Sequence, residues 1–242
     1  MNKMFHPFPK DLLESKFIER PNRFIIRCVL TETGEIVEAH LADSGRLKEL
    51  LIPGKQILLH RNNNPNRKTK YSAVIVERED GLGWVSLNAQ LPNKLAKFAV
   101  EAKLFKELQS WEYVRSEYKK GHSRWDMLLQ KSDDEAMQMV IEVKGATLVE
   151  NGVGMFPDAV TSRGTKHVKE LGEIVKESGW EAALLFVSQR EDIHMVRPAY
   201  HIDPKFAKAM TEAKTAGVKL LGCRCKVSPS GIELLDAIDV EV

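Results

Sequence analysis

The segment SRWDMLLQKSDDEAMQMVIEVK, residues 123–144, decides how this chain is read. It holds two runs rich in strand-forming residues, Arg124 to Gln130 and Gln138 to Lys144, with a turn expected across Ser132 to Glu135. Side chains two apart in a strand share a face, so Glu142 and Lys144 project together while Ile141 and Val143 face the other way. A turn centred on Asp134 sets Asp126 opposite Glu142, with Cβ atoms ~5 Å apart. Two carboxylates so placed repel, unless a divalent cation lies between them or one is protonated. A cation held by Asp126 and Glu142 beside Lys144 suits phosphodiester hydrolysis: Lys144 would orient the attacking hydroxide or neutralise charge developing on the phosphate. Magnesium, or manganese, matches the oxygen ligands. The plain alternative is a solvated sheet face, against which Arg124 and Asp126 on the neighbouring strand both count.

Outward from this pair the pattern is mixed α/β. A helix is expected over Pro92 to Leu108 and a third strand over Glu112 to Lys119. A second helix from about Thr165 to Ser178, stopped by Gly179, leads into a buried strand, Ala182 to Ser188. A third helix, Pro204 to Ala216, stops at Gly217 before a last strand, Val218 to Cys225. Strand–helix–strand endings imply parallel crossovers within a sheet covered on both faces. The first third differs. Arg23 to Leu30, Ile36 to Leu41, Gln56 to His60 and Ser72 to Glu77 are short strands with a brief helical piece near Gly45 to Leu51, for which Asp43, Ser44 and Gly45 are read as a cap rather than as ligand contacts, and the whole suggests a small barrel. The boundary is expected near Gly83 to Leu87, giving domains 1–85 and 86–242.

The 242 residues carry a net charge of +2, which excludes a strongly cationic coat. The distribution is uneven. Residues 1–85 hold 14 basic against 11 acidic residues, and Arg61, Arg67, Lys68 and Lys70 sit together in HRNNNPNRKTKY, residues 60–71, with no acid among them. Such a loop on a barrel suits salt-dependent contact with DNA phosphates. Asn88, Gln90 and Asn93 are read first as caps of the following helix. No stretch has the length of a signal peptide's apolar region or of a membrane span, and three cysteines form no disulfide or zinc pattern, so a cytoplasmic, non-membrane protein with reduced thiols is expected.

Asp126 with Glu142-Val143-Lys144 on adjacent strands resembles the PD-(D/E)xK nuclease superfamily. The wider chain resembles the sugar fermentation stimulation protein A family, through Asp43-Ser44-Gly45-Arg46, Asn64-Pro65-Asn66-Arg67-Lys68, Asn88-Ala89-Gln90-Leu91-Pro92-Asn93, Ser123-Arg124-Trp125-Asp126, Phe156-Pro157-Asp158-Ala159-Val160-Thr161 and Arg163-Gly164-Thr165-Lys166-His167. The resemblance implies an N-terminal OB-fold barrel followed by a PD-(D/E)xK-type α/β/α domain with a mixed sheet. It also implies non-specific DNA binding and a link to regulation of sugar (maltose) metabolism. Asp126, Glu142 and Lys144 become the catalytic set, with Glu101 from the first helix as a further metal ligand. Arg124, Arg163, Lys166 and His167 join the basic loop as DNA contacts, the last three where a helix start presents its backbone amides. Trp125 stands where the superfamily's namesake proline would be. The competing expectation is a DNA-binding regulator whose nuclease fold no longer cuts.

Overall fold

The computed structural model describes residues 4–43 and 45–242; Ser44, read above as part of a cap, lies outside the described residues. The chain forms two compact units. One comprises Phe5–Leu91 with Lys226–Glu233, the other Pro92–Cys225 with Met4 and Leu234–Val242.

In the first unit the strands are β1 (Phe5–Pro7), β2 (Leu13–Asn22), β3 (Ile25–Leu30), β4 (Ile36–His40), β5 (Gln56–Arg61), β6 (Tyr71–Glu77) and β7 (Trp84–Ser86). Their order is β4-β3-β2-β5-β6-β7, and a parallel β4–β6 pairing closes the ring. Alternation does the sorting: Phe17, Ile26, Cys28, Val37, Ala39, Ile57, Leu59 and Val76 point inward and make one apolar core. Residues 45–51 are not the expected helix. Leu47 has a positive φ of 49°, and Arg20 Nη1 takes the carbonyls of Gly45 at 2.6 Å and Arg46 at 2.9 Å, which a helix would have needed. Leu47, Leu50 and Leu51 pack into the barrel core instead.

The second unit begins with α1 (Leu91–Glu101), shorter than expected: Lys103 adopts φ 54° and only a 3-10 turn, Lys106–Leu108, follows. Then come β8 (Trp111–Lys120), β9 (Ser123–Lys131), β10 (Asp134–Gly145), β11 (Leu148–Glu150), β12 (Val153–Phe156), α2 (Ser162–Ile174), β13 (Trp180–Ser188), β14 (Met195–Pro198), α3 (Pro204–Ala216), β15 (Lys219–Ser228) and β16 (Gly231–Val240). The strand order is β11-β12-β14-β16-β15-β13-β10-β9-β8. β8, β9 and β10 are an antiparallel meander, while β10–β13 and β13–β15 are parallel. Val140, Leu184 and Phe186 from the sheet meet Val168 and Leu171 of α2 and Phe206 and Met210 of α3 in the core. Gly217, at φ 109°, ends α3 in the left-handed conformation that favours glycine. The fold is thus the expected mixed α/β class, a small OB-like barrel followed by a sheet domain.

α2 starts three residues earlier than expected and ends four earlier. The Thr161 side chain accepts the Gly164 N–H at 3.1 Å, so threonine caps the helix. The β9–β10 turn is tighter than expected, with Lys131 paired to Asp134. An irregularity between Asp134 and Gln138 then resets the register, and Gln130, Leu129, Leu128 and Met127 face Gln138, Met139, Val140 and Ile141. One more step of that register sets Asp126 level with Glu142.

Candidate metal and phosphate site

The β9–β10 ladder stops at Met127 and Ile141. Beyond it, Asp126 Oδ2 accepts the Val143 N–H at 2.7 Å, so a carboxylate takes the amide that a continuing strand would have met. Asp126 Oδ1 accepts from Asn93 Nδ2, also at 2.7 Å. Asn93, two residues into α1, therefore positions the aspartate, a role that its reading as a cap missed; a polar residue in a helix's first turn carries no mark distinguishing the two. Burial, then the negative charge of Glu142, push the Asp126 carboxyl above the usual aspartate range, against the pull of the Val143 amide, Asn93 and Lys144.

Glu142 is 4% exposed. Its Oε1 accepts from Lys144 Nζ at 2.5 Å and lies 2.6 Å from His167 Nδ1, while Oε2 has no hydrogen-bond partner among the described residues. Arg163 Nε lies 3.5 Å from His167 Nε2, an arrangement in which Nε2 accepts and Nδ1–H donates to Glu142. The Trp125 ring sits edge-on to the imidazole at 5.7 Å between centroids. His167 is thus buried with both ring nitrogens engaged, and it meets Glu142 rather than the solvent-facing surface expected of a DNA contact. The cause is helix phase: α2 turns residues 164, 167, 168 and 171 inward and leaves Arg163 and Lys166 exposed.

The remaining residues are spread more widely. Lys166 Nζ is 3.6 Å from Glu170, whose carboxylate accepts the Ser123 hydroxyl. Arg124 is exposed, 3.4 Å from Glu117. Glu101 does not join the pair. It is exposed, 3.6 Å from Lys97, and lies eight residues along α1 from Asn93, ~12 Å at the helical rise. Among the described residues no group of three or more His, Cys, Asp or Glu side chains is close enough to hold a metal ion. Among the described residues, the acidic side chains brought together at this site are Asp126 and Glu142. The cysteines offer no alternative chemistry: all three are free and buried, and burial pushes Cys28 up to about 11 and Cys223 up to about 12.

On the barrel, Arg61, Arg67, Lys68 and Lys70 all lie exposed in or beside the β5–β6 loop. Arg67 donates to Asn62 Oδ1 and Ser72 Oγ, both at 3.1 Å, and none of the four pairs with an acid among the described residues. No helix among the described residues is long and apolar enough to cross a membrane.

Two family descriptions match the chain: "SfsA N-terminal OB domain" over residues 18–87 and "Sugar fermentation stimulation protein RE domain" over residues 90–231. The chain belongs to the sugar fermentation stimulation protein family. A homolog of that name from Clostridium kluyveri is 39% identical over 235 residues, covering 97% of this chain and 99% of the relative. A Clostridium botulinum homolog is 38% identical over 233 residues, covering 96% and 98%. Among solved structures, Pyrococcus furiosus SfsA, described in complex with Ca2+, is similar with a TM-score of 0.83 at 27% identity, over 97% of each chain. The Asp126–Glu142–Lys144 group lies within the stretch matched by this family's RE domain, and the basic loop within its OB domain.

Proposed function

We propose that this protein is a DNA-binding, metal-dependent phosphodiesterase with Asp126, Glu142 and Lys144 at its catalytic centre. The observation that carries the reading is the end of the β9–β10 ladder, where two carboxylates share one register step with a lysine on the same strand face. A hydrated Mg2+ or Mn2+ fits this donor set, because it takes carboxylate oxygens, keeps several waters and needs no closed cage. Two features support that fit: Glu142 Oε2, without a hydrogen-bond partner among the described residues, and the burial and Glu142 repulsion that raise the Asp126 carboxyl, the second of which a cation would relieve. The Ca2+ complex of the Pyrococcus furiosus relative supports a divalent ion as well. When bound, the ion would supply Lewis-acid activation of a phosphate oxygen and of a water.

The chain's own groups then divide the work. Asp126, fixed by Asn93 and the Val143 amide, and Glu142, fixed through Oε1, would hold the ion. Lys144 Nζ, freed from Glu142, orients the nucleophile or meets charge growing on the phosphate. His167 stays on Glu142 Oε1 and keeps the carboxylate in place as Lys144 turns. Arg163, Lys166 and Arg124 hold the adjoining DNA backbone, while Arg61, Arg67, Lys68 and Lys70 supply non-specific affinity from the barrel. The three buried free thiols suit a reducing, cytoplasmic setting.

A regulatory DNA-binding protein that does not cut is favoured by one observation, the lack among the described residues of a third acidic ligand, with Glu101 turned toward Lys97. The two readings separate in a nicking assay on plasmid and tailed DNA with Mg2+ or Mn2+. Cleavage lost in Asp126→Ala and Lys144→Ala, with DNA binding retained, establishes the enzyme; no cleavage by the wild type across metals and substrates establishes the regulator.

A further inference from the structure

The barrel carries a polar pocket of which the DNA reading uses Arg67 alone. Across β4, β6 and β5 the register sets His40 beside Ser72 and Ser72 beside His60, so the three side chains form one row. Their inward neighbours Ala39, Leu41, Leu59 and Ala73 fill the core, which leaves the row on the outer surface. Adjacent strands are ~4.8 Å apart, so the two histidines flank Ser72 with their backbones ~10 Å from each other. A cavity of about 500 Å³ opens over this row, bordered also by Arg67, Gln90 and Phe8.

The row offers hydrogen-bond donors beside one cation, Arg67. Ser72 Oγ already accepts two hydrogen bonds, from Asn62 Nδ2 and Arg67 Nη2, each at 3.1 Å, so its own hydrogen is left to donate. His40, His60 and the Gln90 side chain have no hydrogen-bond partner among the described residues, and the pocket lining contains no carboxylate. Among the described residues no group of three or more His, Cys, Asp or Glu side chains could hold a metal ion, and each imidazole has an N–H to donate. Serine hydroxyl, guanidinium and two imidazoles lining one pocket without an acid suit an anion with several acceptor oxygens. Phe8 offers an apolar wall for an organic body attached to it.

We propose that this pocket binds a phosphate monoester, its peripheral oxygens meeting Ser72, Arg67, His40 and His60 while the esterified group lies toward Phe8 and Gln90. This goes beyond the phosphodiesterase reading and does not depend on it, because every residue named lies in the barrel unit. The same chemistry is presented by a small phosphorylated metabolite and by a 5′-phosphorylated DNA end, and the experiment distinguishes them.

Calorimetric titrations at one fixed ionic strength would use inorganic phosphate, glucose 6-phosphate, dAMP, and an oligonucleotide with a 5′-phosphate beside its 5′-hydroxyl twin. The expected result is saturable one-to-one binding of at least one phosphomonoester, tenfold or more tighter than its unphosphorylated counterpart. His40→Gln and His60→Gln should each weaken it tenfold or more, with affinity for the 5′-hydroxyl oligonucleotide unchanged. Preference for the small esters assigns a metabolite, and preference for the phosphorylated oligonucleotide alone assigns a DNA end. Histidine ring resonances of the wild type, followed by NMR during the titration, give a reading that needs no variant. The proposal is overturned if no phosphomonoester binds, if phosphate makes no difference to affinity, if both variants bind as wild type, or if the His40 and His60 resonances do not move.

Discussion

The two units hold their polar groups in opposite ways. In the sheet unit, the key groups at the candidate centre are braced by one another: Asp126 by Asn93 and the Val143 amide, Glu142 by Lys144 and His167, His167 by Arg163. In the barrel unit, Arg61, Lys68 and Lys70 stand exposed without an acid partner among the described residues. The first arrangement is geometry fixed in advance, where one displaced atom costs chemistry. The second is a charge reservoir, where contacts are interchangeable and act through the salt around them.

That contrast is open to direct attack, and the greatest effect is expected in the braced unit. Lys144→Ala should lower single-turnover cleavage on the order of 10²–10³-fold, the usual cost of removing one donor aimed at developing charge. His167→Ala acts one bond further out and should cost about 10–100-fold in activity or metal affinity, as loss of a ligand's supporting partner does. If it left both unchanged, the bracing of Glu142 would be ornamental. Arg67→Ala with Lys68→Ala should leave single-turnover cleavage of saturating DNA intact. It should reduce the slope of log affinity against log salt by about two, one for each phosphate contact. An unaltered slope would move the DNA surface off the barrel.

A stability experiment probes the cost of ionising Asp126 in its buried place beside Glu142. A carboxyl whose pKa is raised in the folded state binds its proton more tightly there than in the unfolded chain, so the ionised group destabilises the fold above that raised value. Asp126→Asn should therefore have the higher melting temperature at neutral pH without divalent ions. The gap should shrink as pH falls through the raised range and close below the ordinary aspartate value. Added Mg2+ should stabilise the wild type and not the variant. The smallest effect is expected at Glu101, whose replacement by alanine should change neither cleavage nor metal response, since it contacts Lys97 at the helix surface.

Much of this was legible before any coordinates, for reasons that differ by residue. Glu142 and Lys144 sit two apart in an apolar strand, and period two alone puts them together. The level of Asp126 with Glu142 followed from a turn assumed at Asp134; the actual turn lies earlier, and the irregularity before Gln138 compensates. Gly217 marked the end of α3 because it must adopt a positive φ. What stayed hidden depends on distant partners. Arg20 strips carbonyls from residues 45 and 46, so a helical pattern there does not become a helix. Strands β11, β12 and β14 are three or four residues long and borrow their pairing from remote segments, and β2 is masked by its charged outer face. Asn93 and His167 acquire their roles only when α1 and α2 are laid against β9 and β10.

The hydrogen bond between Val143 and Asp126 makes that amide a gauge. Its proton is held by a side chain, so its exchange with solvent tracks the carboxylate rather than the strand. A cation that shares the Asp126 carboxylate would change the exchange of this one amide more than that of its neighbours on β10. The backbone at the centre of the site thus carries its own occupancy meter, legible by deuterium exchange on an otherwise silent protein.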